Sequence, residues 1–148
     1  MGLYRLIYVS KAHEDVSYPD LVSIMEASER NNRSAGVTGL LCYGDDWFLQ
    51  TLEGHRQAVS QTYNRIVGDR RHFNAELLSF QEIPCRQFVE WSMKAVQFGL
   101  RDDERQLILR YSSRDVFSPA SMTAEQCFEL MLSLAGMARV RVSTSQSS

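Results

Sequence analysis

An α+β fold of the split βαβ, ferredoxin-like type is what this sequence predicts, and three observations carry the prediction. Segments of two-residue apolar alternation and segments of helical spacing follow one another as β-α-β-β-α-β with one further strand. Turn-forming Gly, Asp and Pro residues fall between them. A chain of 148 residues suits one domain that buries roughly two thirds of its unfolded surface without a metal or disulfide staple. Two helices should cover one face of the sheet and a C-terminal helix pair the other.

Leu3 to Ser10 (LYRLIYVS) is dense in β-formers, with Leu6, Tyr8 and Ser10 on one face and Ile7 and Val9 on the other, so it reads as a strand buried on both sides. Tyr18-Pro19-Asp20 opens a helix whose Leu21, Ile24, Met25 and Ser28 share a stripe, closing at Asn31-Asn32 before Gly36. Val37 to Tyr43 and Trp47 to Leu52 flank the short link Gly44-Asp45-Asp46 and should pair as an antiparallel hairpin. Val59, Tyr63, Ile66 and Val67 then fall on one helical face, ended by Gly68-Asp69. Strand signals return in Ala75 to Ile83 and in Val89 to Val96, with Pro84 between. Asp102 to Tyr111 carries Leu107, Ile108 and Tyr111 on a stripe. After Thr123, a Thr-x-x-Gln126 capping box precedes Phe128, Met131, Ala135 and Ala138 at helical spacing. From Ser143 the chain is polar, and a disordered tail is expected there. No internal repeat or separating linker is present.

Composition excludes several classes. Hydrophobic residues make up 44% and charged residues 23%, and a formal net charge of -2 offers nucleic acid or anionic lipid no electrostatic attraction. Cys42, Cys85 and Cys127 are odd in number and lack C-x-x-C spacing, which argues for structural thiols in a reducing compartment. No run approaches the ~18 apolar residues of a membrane span, and MGLYRLIYVS lacks the order of a signal peptide, so a cytoplasmic location is expected. His13, His55 and His72 are too scattered for a metal site, and no phosphate-binding Gly motif or activated nucleophile occurs.

Polar residues interrupt the apolar pattern at three places. Gln50 shares its strand face with Phe48 and Leu52, so turning it to water would drag both outward; an unpartnered buried amide costs about 1–3 kcal/mol. It is either a core amide satisfied by backbone or a neighbouring hydroxyl, or it reads a buried ligand. Tyr8 is either a core tyrosine or, beside an amide on the same face, part of a hydrogen-bond relay for an electron and a proton. Ser28, Asn31 and Asn32 continue the first helix's stripe as groups that both donate and accept. They end the helix or grip a planar heterocycle with alternating carbonyl and N–H groups. Finally, Arg65, Asp69 and His72 recur at about one-turn intervals, as a solvated face or as a rim for a polar or phosphorylated ligand tail.

Tyr8 in a first strand, Ser28-x-x-Asn31-Asn32, Gly36-Val-Thr-Gly-Leu-Leu, Phe48-Leu-Gln-x-Leu-Glu-Gly54, Arg65-Ile-x-x-Asp-x-Arg-His72 and Trp91-Ser-Met93 together resemble the BLUF family of flavin-using blue-light receptors. The resemblance runs in order from about residue 1 to 97, without departure at the photochemical positions. The helical tail and chain length are similar to short cyanobacterial members of the PixD type. The resemblance implies a photosensory domain over 1–97 and a two-helix extension over 98–148.

It further implies FAD, or FMN with the same ring, held between two flavin-flanking helices. Asn31 and Asn32 would hold the ring edge, with Ser28 near them, and Ile24 and Ile66 its two faces. Gln50 would bridge flavin and Tyr8, and Arg65, Asp69 and His72 would lie toward the ribityl and phosphate portion. In the family, excited flavin takes an electron and then a proton from the tyrosine by way of the glutamine. Recombination leaves the glutamine rotated or tautomerised, with a stronger hydrogen bond at the flavin C4 carbonyl. Trp91 and Met93, of one parity on the last strand, would relay that change. With no room for an enzymatic output domain, light would act on an interaction: ring-forming homo-oligomers that release a response-regulator-like partner on illumination. The rival readings are a flavin-dependent redox enzyme on the same scaffold and a non-catalytic ligand-sensing or assembly module. The first lacks a substrate acid, base or second cofactor motif; the second makes Tyr8 and Gln50 ordinary core groups.

Overall fold

The computed structural model describes residues 2–89, 94–97 and 101–146. In chain order the elements are β1 (Leu3–Ala12), α1 (Tyr18–Ala35), β2 (Thr38–Gly44), β3 (Trp47–His55), α2 (Arg56–Val67), β4 (His72–Ile83), β5 (Lys94–Gln97), α3 (Asp102–Ile108), a 3₁₀ turn (Pro119–Ser121) and α4 (Ala124–Gln146). The strands line up as β4-β1-β3-β2-β5, with β5 parallel to β2 and every other pair antiparallel. This is the predicted ferredoxin-like sheet with β1 and β3 at its centre. Among the described residues no helix is long and apolar enough to cross a membrane.

Strand parity divides the interior into two cores. Leu6, Tyr8, Phe48 and Leu52 face α1 and α2, where Val59, Ile24 and Ile66 meet them. Ile7, Val9 and Leu49 face the other way, against Ile108 of α3 and Cys127, Leu130, Met131 and Leu134 of α4. Each large aliphatic side chain so enclosed contributes about 1.5–3 kcal/mol, which is what fixes the central strands between two helical layers.

Local chemistry sets the boundaries. Ser17 caps α1 reciprocally with Asp20, and Gly36, at φ 71°, closes it in the left-handed conformation. Asp45 and Asp46 take φ 48° and 66°, the positive pair that matches hairpin twist between β2 and β3. Gly54 needs its missing side chain, because a Cβ there would lie 3.1 Å from the Gly36 carbonyl oxygen. Thr123 and Gln126 exchange the two bonds of the predicted capping box at 3.0 and 3.1 Å.

Several expectations are corrected. The first helix runs to Ala35, not to Asn31-Asn32, because the chain stays helical until Gly36 supplies a stop. Val67, the last residue of α2, is 47% exposed and does not share the buried face of Val59. Val89 is 68% exposed and outside any strand; of the strand expected over Val89 to Val96, residues 90–93 lie outside the described residues, and β5 is described over Lys94–Gln97. The helix expected to reach Tyr111 ends at Ile108, where Leu109, Arg110 and Tyr111 switch to bonds three residues back. Cys42 and Cys127 are buried thiols, as structural thiols should be, whereas Cys85 is exposed. Trp91 and Met93 lie outside the described residues.

Candidate functional site

Between the sheet and the pair α1 and α2 lies an open-mouthed cavity of about 630 Å³, its mouth included. Its floor comes from the central strands. Tyr8 and Gln50 are register partners on β1 and β3, 3% and 2% exposed, and the Tyr8 hydroxyl donates to Gln50 Oε1. Burial pushes the Tyr8 hydroxyl far above the ordinary phenol range, and the charges of Tyr63 and Asp69 act in the same direction. The phenol therefore keeps its proton and remains a donor at any physiological pH.

Aromatic rings enclose that pair. Tyr63 of α2 lies 5.4 Å from the Tyr8 ring centroid, and His72 lies 6.4 Å from it and edge-on to Phe48 at 6.0 Å. The side walls are helical. Ile24 and Ser28 of α1 and Ile66 of α2 line the cavity, so two different helices contribute aliphatic side chains to it. Asn32 is 1% exposed and Asn31 is exposed, and both border the cavity. Because the helix continues past them to Ala35 and Gly36 closes it, they do not form its C-terminal cap.

Arg65, Asp69 and His72 also line the cavity, from three different elements. Only Arg65 belongs to α2. Asp69 sits in the following turn and His72 starts β4, so the one-turn spacing along a helix is corrected to convergence around a turn. Arg71, which the pattern did not single out, grips Asp69 with Nε at 2.9 and 3.2 Å and Nη2 at 2.5 Å. That grip holds the Asp69 carboxyl below its ordinary range, against the opposing effect of partial burial. His72 Nε2 donates to the Ile66 carbonyl at 2.7 Å.

This donor set fits a flavin. A buried phenol-amide pair, two further amides and two isoleucines from different helices provide hydrogen-bonding groups for a ring edge and apolar contact for its faces. His72 Nδ1 adds a buried side-chain atom with no hydrogen-bond partner on a cavity-lining residue. Ala27, Leu41, Phe48, Thr62 and Arg71 complete the lining; Leu41, Phe48 and Arg71 stood in the sequence motifs without a site role, and Ala27 and Thr62 were not named. Four of them carried a signal: Phe48 by parity with Gln50, Leu41 by its place opposite Gln50 in the hairpin, Ala27 and Thr62 by spacing from Ile24 and Ile66. Arg71, in an irregular turn, carried no periodic signal and stood only in the motif Arg65-Ile-x-x-Asp-x-Arg-His72.

Residues 3–94 match the family model BLUF, described as sensors of blue light using FAD. The chain is 32% identical over 108 residues to the blue light- and temperature-regulated antirepressor BluF of Escherichia coli (strain K12), covering 73% of this chain and 26% of that protein. It is 31% identical over 128 residues to photoactivated adenylate cyclase subunit beta of Euglena longa, covering 81% of this chain and 15% of that one. The chain thus spans a small part of these curated relatives. Among solved structures it superposes on the photo-activated state of BlsA with a TM-score of 0.79 at 28% identity, covering 87% of this chain and 91% of that one.

Proposed function

The chain belongs to the BLUF family of blue-light sensors, and from that premise we propose that it is a flavin photoreceptor whose light-responsive element is the Tyr8–Gln50 pair. The observation that carries this reading is the buried Tyr8 hydroxyl donating to the Gln50 amide oxygen at the floor of the cavity. A bound flavin supplies blue-light absorption and, once excited, an oxidant strong enough for a phenol.

Tyr8 is the electron and proton donor, because burial has kept its proton in place and its O–H already points at an acceptor. Gln50 is the switch. Its amide offers a donor end and an acceptor end, so exchanging them by rotation or tautomerisation inverts the hydrogen bonds it makes without any covalent change in the chain. Asn31, Asn32 and Ser28 hold the ring edge, Ile24 and Ile66 exclude water from its faces, and Arg65, Asp69 and His72 hold the polar tail. FAD is the cofactor, and FMN, with the same ring, meets the same contacts.

The output is an interaction and not a reaction of this chain. In this reading residues 1–97 are the sensor and 98–148 the output segment, Trp91 and Met93 are relay positions, and copies of the chain assemble into a ring. That assembly, of the PixD type, holds a response-regulator-like partner in the dark and releases it in the light. A light-minus-dark absorption spectrum tests the core of the reading. Reversible red shift of the flavin band under blue light is the expected result; bound flavin with an unshifted spectrum would overturn it.

A further inference from the structure

Strand β3 faces two ways. Gln50 lines the cavity under α1 and α2, while Thr51 and Glu53, of opposite parity, lie on the other face, where Thr51 meets α4. Thr51 Oγ1 lies 3.1 Å from Met131 Sδ of α4. Glu53 is completely buried, and both of its oxygens are engaged. Oε2 accepts from Arg5 Nε at 2.8 Å and pairs with Nη2 at 2.7 Å; Oε1 accepts from the backbone N–H groups of Gln87 and Phe88 at 2.8 and 2.9 Å. One carboxylate thereby joins β1, β3 and the segment that follows β4.

That segment is in turn joined to α4. Phe88, with no exposed surface, meets Phe128 edge-on at 6.2 Å between centroids, and the Arg5 guanidinium lies 3.9 Å above the same Phe128 ring. Arg86 ties down the same segment, donating to Thr38 Oγ1, to the Glu53 carbonyl and to the Gly36 carbonyl at 2.9, 3.1 and 2.8 Å. Packing alone does not call for a charge here, because apolar side chains of similar volume commonly replace a buried ion pair without loss of stability. What the carboxylate adds is direction: it holds two specific backbone N–H groups at one position along β3.

We infer that Glu53 is a positioning residue for output, fastening the backbone of 87–88, and through Phe88 the helix α4, to the strand that carries Gln50. The inference rests on the photoreceptor reading of the Tyr8–Gln50 pair. Three residues of strand, about 10 Å, separate Gln50 from Glu53. β3 is bonded to β1 on one side and β2 on the other, so a rearrangement at Gln50 that displaces it is passed along the strand and not absorbed by a loose edge. Glu53 converts that displacement into a pull on the Gln87 and Phe88 amides, and Phe88 delivers it to Phe128.

Hydrogen exchange of the flavin-loaded protein, read residue by residue in darkness and under blue light, tests this. In the parent, illumination should change exchange at the Gln87 and Phe88 amides and in α4 near Phe128. Glu53→Gln should keep the flavin red shift and lose the light-dependent difference in α4. Phe88→Leu, which retains the amide, should keep the change at residues 87–88 and lose it in α4, and it decides the matter if Glu53→Gln does not fold. A light-dependent difference in α4 that survives unchanged in either variant overturns the inference, as does a red-shifting parent whose 87–88 amides exchange identically in dark and light. A parent without any red shift overturns the photoreceptor reading itself, and this inference with it.

Discussion

Tyr8 and Gln50 stand opposite each other in the β1–β3 ladder, and the phenol hydroxyl donates to the amide oxygen across it. Two neighbouring strands thus deliver a phenol and an amide to one buried point. The backbone ladder on either side holds them in register, so their contact does not depend on a mobile loop.

Tyr8→Phe should bind flavin normally and form no red-shifted product. Shape is almost unchanged, while the electron and proton donor is gone. The lost hydrogen bond should cost about 1 kcal/mol of stability. Light-minus-dark spectroscopy with a count of bound flavin per chain checks this, and a normal red shift in the variant would remove Tyr8 from the mechanism.

Replacing Gln50 by alanine should also abolish the photoproduct, at a larger structural cost. The side chain is 2% exposed, so its removal leaves a void beside the Tyr8 hydroxyl. A loss of about 2 kcal/mol or more in urea denaturation is expected, in the range of other buried large-to-small changes.

Glu53→Ala should destabilise the protein by about 3–5 kcal/mol, because it leaves the buried Arg5 guanidinium without its carboxylate and two backbone N–H groups without an acceptor. Arg5→Ala in the same background should then cost much less than Arg5→Ala alone. Denaturant titrations of the two single variants and the double variant measure the coupling, and additive effects would contradict the shared network.

The alkaline limit follows from Tyr8. Its pKa in the folded protein is raised above the unfolded value of 10.0, chiefly by burial, so its contribution to stability is fully present below pH 10 and is lost as pH climbs beyond it. The size of the red shift should accordingly stay flat up to about pH 9, the phenol keeping its proton throughout. A red shift lost with a midpoint at the ordinary phenol value of 10.0 would show that the phenol is not buried as described.

Asp69 sets an acid-side dependence of opposite sign. Its carboxyl is held below the ordinary value of 3.8 by the Arg71 hydrogen bonds, so the stability it contributes is present above that value and is lost as pH falls through its folded pKa. Asp69→Asn should flatten the acid limb of the stability curve, measured by thermal denaturation as pH falls from about 4 downward. An unchanged limb would mean that the pair contributes nothing in solution.

Local pattern made much of this protein legible. Two-residue alternation placed Leu6 and Tyr8 on one side of β1 and Phe48, Gln50 and Leu52 on one side of β3, and the structure has these faces as expected. Helical spacing put Ile24 and Ile66 on inward stripes, and the order of segments led to the sheet. Errors gathered at the ends of elements, as with α1 and α3, where a single left-handed glycine or a change to three-residue bonding decides the last turn. Arg71, though it stands in the Arg65 to His72 motif, was given no role because a turn has no period from which a side chain's direction can be read.

The sequence by itself determined which residues share a face, because side-chain direction depends only on backbone period, a property of neighbours in the chain. Tertiary structure alone decided that Tyr8 would sit across from Gln50, that the Asn31–Asn32 pair would border a cavity, and that Glu53 would be buried against Arg5, Gln87 and Phe88. Those outcomes join residues 42, 48 and 35 positions apart. They follow from strand register and from the need of buried polar groups to find partners, and both are settled only when the sheet and its two helical layers close.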